Sequence, residues 1–273
     1  MPGVRFRRFG VWVATFAVAS WLVAAPAGAT PAAEHLLARP SCRLVRAPSA
    51  LPLGLGQACP GVRPGAAVIT PIGLCTFNFL WAGSDGRTYA GTAGHCILED
   101  SDVAEARWPA GKGPPALDST GRHVGEFAYA VLRDDADFAL VRLDPGVTAD
   151  PRVCQFGGPT GVNNDRTASA VALHEFGQGQ LLGTLVPGRT LFALDGLSDP
   201  RVVDAVGLVS SGDSGAPVLG PDGRAVGVVV AGTSLLGLPP LAGEVAITRL
   251  GPQVARASQV TGVTYTLRTA ATG

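Results

Sequence analysis

The chain is 273 residues long, 47% hydrophobic and 15% charged, with 37 glycines, 22 prolines and a formal net charge of zero. This composition excludes a disordered chain, which lacks the apolar content to collapse. It also supplies no basic surface for nucleic acid or an anionic membrane. The length allows one large domain or two small ones, and glycine and proline scattered among short valine-rich runs point to an all-β chain with many turns.

Residues 1–29 have the layout of a secretory signal. Arg5, Arg7 and Arg8 are followed by an apolar stretch over 11–25 and by Ala27-Gly28-Ala29, a small-residue cleavage site. A bilayer span needs roughly 20 apolar residues, so a retained membrane anchor is disfavoured. Arg7-Arg8 also fits a twin-arginine signal. Either route places the protein outside the cell, where disulfides are permissible. Residues 30–66 carry Pro31, Pro40, Pro48, Pro52, Pro60 and Pro64 and show no periodicity. They read as an extended leader on the domain surface or as a short propeptide.

From Ala67 the chain becomes strand-like. Strands are expected over 68–70, 75–81 and 88–92, the last two joined by the hairpin turn Gly83-Ser84-Asp85-Gly86. Further strands are expected over 123–131, 138–143, 168–173, 180–186, 190–193, 225–231 and 244–248. A short helix is expected over 252–260. The glycine-rich segment 157–161 followed by Asn163-Asn164-Asp165 is the natural linker. It divides the mature chain into two β-rich halves, 67–158 and 159–273.

Three short stretches carry chemistry. In Ser210-Ser211-Gly212-Asp213-Ser214-Gly215-Ala216-Pro217, glycines flank a serine just ahead of an apolar run. Such a turn can expose a hydroxyl while neighbouring N–H groups point at the same space. Of the four histidines, His95 lies in a small-residue turn, Thr92-Ala93-Gly94-His95-Cys96, with room beside the imidazole for general-base work. His35 falls in the leader and His123 on an alternating strand. His174-Glu175 fails the zinc-protease pattern, because Gln178 stands where the second histidine must be. Asp137 opens the apolar run Phe138-Ala139-Leu140-Val141, so its carboxylate enters the core and needs a partner there. Asp134 and Asp135 read as solvated turn residues. Two other classes fail. An α/β-hydrolase elbow would need glycine where Ala216 stands and its serine before its histidine. Gly111-Lys112-Gly113 lacks the upstream glycine and following hydroxyl of a phosphate loop.

These three motifs, in the order histidine, aspartate, serine, resemble the signatures of the chymotrypsin-like (trypsin-like) serine peptidases, over roughly residues 67–250. The resemblance implies two antiparallel β-barrels with a short C-terminal helix, and an exported endopeptidase acting without cofactor or metal on a protein or peptide. It implies Ser214 as nucleophile, His95 as base, Asp137 as its orienting partner, and the N–H groups of Gly212 and Ser214 as the oxyanion hole. Leu208, six residues before Ser214, would line the primary pocket with Val230, Ala231 and Gly232 from the substrate-holding strand. An apolar or small side chain would then be preferred before the scissile bond. Cys75 and Cys96 resemble the family's disulfide beside the histidine. Cys154 resembles a cysteine that ties a leader to the body, with Cys59 the preferred partner and Cys42 the alternative. One cysteine of the five is then left over. Asp213 resembles the aspartate that pairs with a new N-terminus in animal members. No matching start is present here, and Arg166 is a candidate cation in its place. The expected protein is a monomer. A non-catalytic binding module, or a regulatory protease of narrow specificity, is the alternative on the same fold.

Overall fold

The computed structural model describes residues 45–46, 57–59, 61–99, 101–133, 135–165, 170–179, 187–194, 200–232 and 243–272. A two-stranded ladder pairs β1 (Val45–Arg46) with β2 (Gln57–Ala58). Nine strands then form the first main sheet: β3 (Ala67–Thr70), β4 (Gly73–Thr76), β5 (Leu80–Gly83), β6 (Thr88–Thr92), β7 (Glu105–Arg107), β8 (Pro115–Asp118), β9 (His123–Arg133), β10 (Ala136–Leu143) and the C-terminal β17 (Tyr265–Leu267). Their order is β17-β5-β6-β10-β9-β8-β3-β4, with β7 also on β9, and the sheet curls into a half-barrel. The second sheet is a closed barrel, β11-β12-β13-β16-β15-β14. It comprises β11 (Ala172–Phe176), β12 (Gly188–Ala193), β13 (Val202–Gly207), β14 (Pro217–Leu219), β15 (Ala225–Gly232) and β16 (Gly243–Arg249).

The two halves bury their strands differently. In β12, Arg189, Leu191 and Ala193 are buried while Thr190 and Phe192 are exposed, the alternation of a sheet with one face to solvent. Leu173, Leu191, Val203, Val218, Val245 and Ile247 fill the barrel. In β10 every residue except Arg142 is buried, because the strand is covered on both faces. An aromatic core of Phe77, Phe79, Trp81, Tyr89, Phe127, Tyr129 and Phe138 packs there.

Several expectations shift. The strand expected over 75–81 is two strands, β4 and β5, separated by the non-strand residues Phe77-Asn78-Phe79. The strand expected at 168–173 begins at Ala172 and runs to Phe176. The strand expected at 180–186 lies outside the described residues. Strands β1, β2, β7, β8, β13, β14 and β17 fall outside the expected set. They are short or lack a strong alternating pattern, and hydrogen bonding to neighbours defines them. The terminal helix runs two residues further back and one further on than expected, as Leu250–Thr261. Leu250, Gln253, Val254 and Ala257 form its buried stripe, at helical spacing. Gly262, at φ +76°, ends it in a left-handed cap. Its Arg256 reaches Glu105 at 2.7 and 2.6 Å, and β17 beyond it joins β5. The last strand of the chain therefore belongs to the sheet of the first half. Among the described residues no helix is long and apolar enough to cross a membrane.

Candidate active site

β6 ends at Thr92, and the chain turns through Gly94 into a single helical turn, α1 (His95–Leu98). Gly94 lies directly on the backbones of Val131 in β9 and Phe138 in β10, with no room for a Cβ. This close approach brings the turn to Asp137 in β10. Asp137 is 8% exposed. Its Oδ1 accepts the N–H groups of Gly94 and His95 at 2.5 and 2.9 Å, and its Oδ2 lies 2.7 Å from His95 Nδ1. A carboxylate only accepts, so Nδ1 carries the proton and Nε2 keeps its lone pair. Thr248 Oγ1 in β16 donates to the Asp137 carbonyl at 3.2 Å, tying the carboxylate's strand to the barrel.

The serine loop reaches the same wall from the barrel. Gly212 and Gly215 take φ of +99° and +88°, conformations that side chains disfavour. A Cβ on Gly215 would strike Thr76, Thr92 and Ala93, so this glycine also lets the loop lie against the histidine turn. Thr76, fully buried at the end of β4, holds the junction. Its N–H donates to the Ser214 carbonyl at 2.8 Å, its Oγ1 donates to the Gly212 carbonyl at 2.8 Å, and the same Oγ1 accepts Gln178 N–H at 3.0 Å. Its carbonyl accepts Thr92 Oγ1 at 2.9 Å. Ser214 itself is half-buried. Among the described residues, the N–H groups of Gly212 and Ser214 donate to no acceptor, whereas those of Asp213, Gly215 and Ala216 bond to Ser210, Val229 and Asp213 carbonyls.

The structure joins Cys75 to Cys96 and Cys59 to Cys154, with Cα separations of 6.4 and 6.1 Å. Cys42 lies outside the described residues. The sulfurs of Cys75 and Cys96 and a nitrogen of His95 lie within 4.8 Å of one another. With the sulfurs spent on the disulfide, the imidazole packs beside a bridge and not within a thiolate set.

Asp213 is buried and meets a cation other than the one expected. Arg189 Nη2 in β12 is 2.7 Å from Asp213 Oδ2, and it also pairs with Glu175 in β11. Arg166 lies outside the described residues. Asp213 Oδ2 further accepts Ser210 N–H at 2.7 Å and Oδ1 accepts Gly179 N–H at 2.7 Å. Leu208 follows β13 and is 36% exposed. Val230, Ala231 and Gly232 end β15, where exposure rises along the strand. Gly232 lies against the side chain of Val209, which brings the two segments together.

The remaining singled-out groups lie apart. His123 pairs with Asp144 at 2.8 Å on the surface. His174 is buried with its ring 5.4 Å from Phe156, and burial lowers its pKa. Asp135, expected to be solvated, pairs with Arg201. A cavity of about 270 Å³ lies near Asp85, Trp108 and Tyr265, at the far end of β6 from His95.

Burial by itself would lower the His95 pKa, but the hydrogen bond and charge of Asp137 outweigh it and the net displacement is upward. A histidine acting as a base must be neutral, so if His95 has that role activity is expected to fall as pH drops through this raised pKa. The stability linked to His95 runs the other way. It is fully present below the unfolded value near 6.5 and is lost as pH rises through the folded value. Thermal midpoint and turnover measured across pH 5–8 should therefore show opposed His95-linked trends. A flat rate profile would remove His95 as the base.

A closed barrel facing a half-barrel, with few helices, is the fold of the chymotrypsin-like proteins. The trypsin-like peptidase domain model matches residues 79–228, more than half of the chain, and the protein belongs to that family. A Nocardiopsis protease is 17% identical, with a TM-score of 0.53 over 76% of this chain and 98% of that one. A glutamic acid specific serine protease, described as using a histidine triad in substrate binding, is 18% identical, with a TM-score of 0.52 over 75% and 100%. At these identities the likeness is one of fold. No curated protein matches the chain.

Proposed function

We propose that the protein is an exported serine endopeptidase with Ser214 as nucleophile. Ser214 Oγ attacks the scissile carbonyl while His95 Nε2 takes its proton. The oxyanion so formed is held by the N–H groups of Gly212 and Ser214. His95 then passes the proton to the leaving amine, and water releases the acyl group by the same route. The observation that carries this reading is the Asp137 carboxylate at 2.7 Å from His95 Nδ1, which leaves Nε2 free to act as the base. The unspent N–H groups of Gly212 and Ser214 support it.

In this reading, residues 67–158 bring base and orienter, residues 159–273 bring the nucleophile, and the substrate runs between them. The signal over 1–29 is removed. The leader over 30–66 is tied to the body through Cys59–Cys154, so cleavage N-terminal to Cys59 would not release the tethered part. Leu208, Val230, Ala231 and Gly232 line the primary pocket, where a leucine would leave a cationic side chain unpaired.

A fluorophosphonate should form an adduct on the peptide containing Ser214, and Ser214→Ala should abolish it. An apolar-residue peptide should be cleaved faster than its arginine counterpart. Failure to label Ser214 would remove the peptidase reading. Labelling with a preference for arginine would remove only the pocket assignment.

A further inference from the structure

Glu175 and Arg189 are direct cross-strand partners on β11 and β12. Both point into the barrel end beneath the serine loop. Side-chain exposures are 0% for Glu175, 2% for Arg189 and 1% for Asp213. The same guanidinium nitrogen, Arg189 Nη2, serves both carboxylates. We propose that Glu175 is a positioning residue that sets how firmly Arg189 holds Asp213, and through Asp213 the N–H groups of Gly212 and Ser214. This rests on the reading of those N–H groups as the oxyanion hole.

Two ionised carboxylates and one guanidinium would leave a net negative charge sealed from water, which is expensive. A proton on Glu175 makes these three groups neutral together and removes the charge that competes with Asp213 for Arg189. Glu175 Oε2 is buried and meets no hydrogen-bond partner among the described residues, a position that a neutral carboxyl tolerates better than an ionised one. Among the described residues, the charged groups facing Glu175 are Arg189 from β12 and Asp213 from the loop. β14 opposes it with Val218, and His174 turns to the opposite face of β11. Burial pushes the Glu175 carboxyl up to about 8, against the pull of Arg189 and with a further push from Asp213.

Ionisation draws Arg189 toward Glu175 and loosens Asp213. Asp213 also anchors Ser210, ahead of Ser214 in the loop, and Gly179, which packs beside Gly212, through their N–H groups, so loosening it frees the loop from both. The native state keeps the proton where the unfolded chain has lost it. Stability from Glu175 is therefore full below about 4.5 and is lost as pH rises toward about 8.

Glu175→Gln fixes the neutral form and is the test. In the wild-type protein, the backbone ¹⁵N–¹H resonances of Gly212 and Ser214 should titrate with a midpoint near pH 8, and in the variant they should not. Turnover of the wild type should fall by up to about 30-fold between pH 7 and 9.5, the drop in the protonated fraction of such a group, while the variant holds its rate. The thermal midpoint of the variant should exceed that of the wild type by a margin that widens as pH rises from 5 to 8. Loop resonances that do not titrate, or that titrate alike in both proteins, overturn the proposal. If Ser214 is not labelled but its N–H titrates only in the wild type, the peptidase reading fails and the positioning role stands.

Discussion

Asp137→Asn is expected to lower kcat about 10⁴-fold at neutral pH, the loss typical of such triads, with little change in fold. The geometry fixes which way the amide must sit. Oδ1 of Asp137 accepts two backbone N–H groups, from Gly94 and His95. An NH₂ placed there would face two donors, so asparagine keeps its oxygen at that position. Its NH₂ then faces His95 Nδ1, where the carboxylate Oδ2 had been at 2.7 Å. Only an unprotonated Nδ1 can accept from that NH₂. The imidazole is forced into the tautomer with its proton on Nε2 and has no lone pair left for Ser214. A second signature accompanies the loss. With the carboxylate gone, the burial that lowers the His95 pKa is no longer outweighed. The acid limb of the residual activity should move to lower pH than in the wild type. Steady-state rates from pH 4 to 9 measure both effects. An unchanged kcat would show that Asp137 does not orient the base, and an unmoved acid limb would show that its charge does not reach His95.

The residues that carry the proposed chemistry were legible because each sits in a short run with a local reason for its residue types. Gly94 and Gly215 admit close backbone approach, and the apolar run after Asp137 announces a buried strand. The residues that hold those runs together were not legible. Thr76 adjoins one of the cysteines and otherwise looks like any strand threonine. Its role comes from contacts with Ser214, Gly212, Gln178 and Thr92, three of them across more than 100 residues of chain. Arg189 did leave a trace. It lies in phase with Leu191 and Ala193, so alternation along Gly188–Ala193 turns it into the barrel. An expected strand that began at Thr190 dropped this residue, and with it the cation that faces Asp213. The short strands β7, β8 and β17 were missed for a related reason. Their residues have no strong pattern of their own, and ladders to β9, β3 and β5 define them.

Arg189→Leu is expected to destabilise the protein by about 3–5 kcal/mol, the usual consequence of removing one partner from a buried ion pair. Solvent screening does not soften the loss, since Arg189 and Asp213 have side-chain exposures of 2% and 1%. The cost falls mainly on Asp213. Glu175 can stay neutral, but among the described residues Asp213 keeps only the N–H groups of Ser210 and Gly179 and the Ser210 hydroxyl. Asp213→Asn in the Arg189→Leu background should therefore recover part of the loss, because it removes the uncompensated charge and keeps an oxygen for Gly179. Glu175→Gln in that background should recover little. Urea unfolding with an unchanged slope would report the three differences, and the non-additivity of the Arg189–Asp213 pair would measure their coupling. Arg189→Lys separates charge from shape. A lysine retains the cation, and its one nitrogen can approach both carboxylates, but it lacks the planar guanidinium and its additional N–H donors. It should restore stability more fully than activity. At temperatures where Arg189→Leu is still folded, fluorophosphonate labelling of Ser214 should slow by about 10²–10³, the effect of losing an oxyanion donor. Wild-type labelling in a folded Arg189→Leu protein would mean that the Asp213 anchor stabilises the barrel without shaping the loop above it.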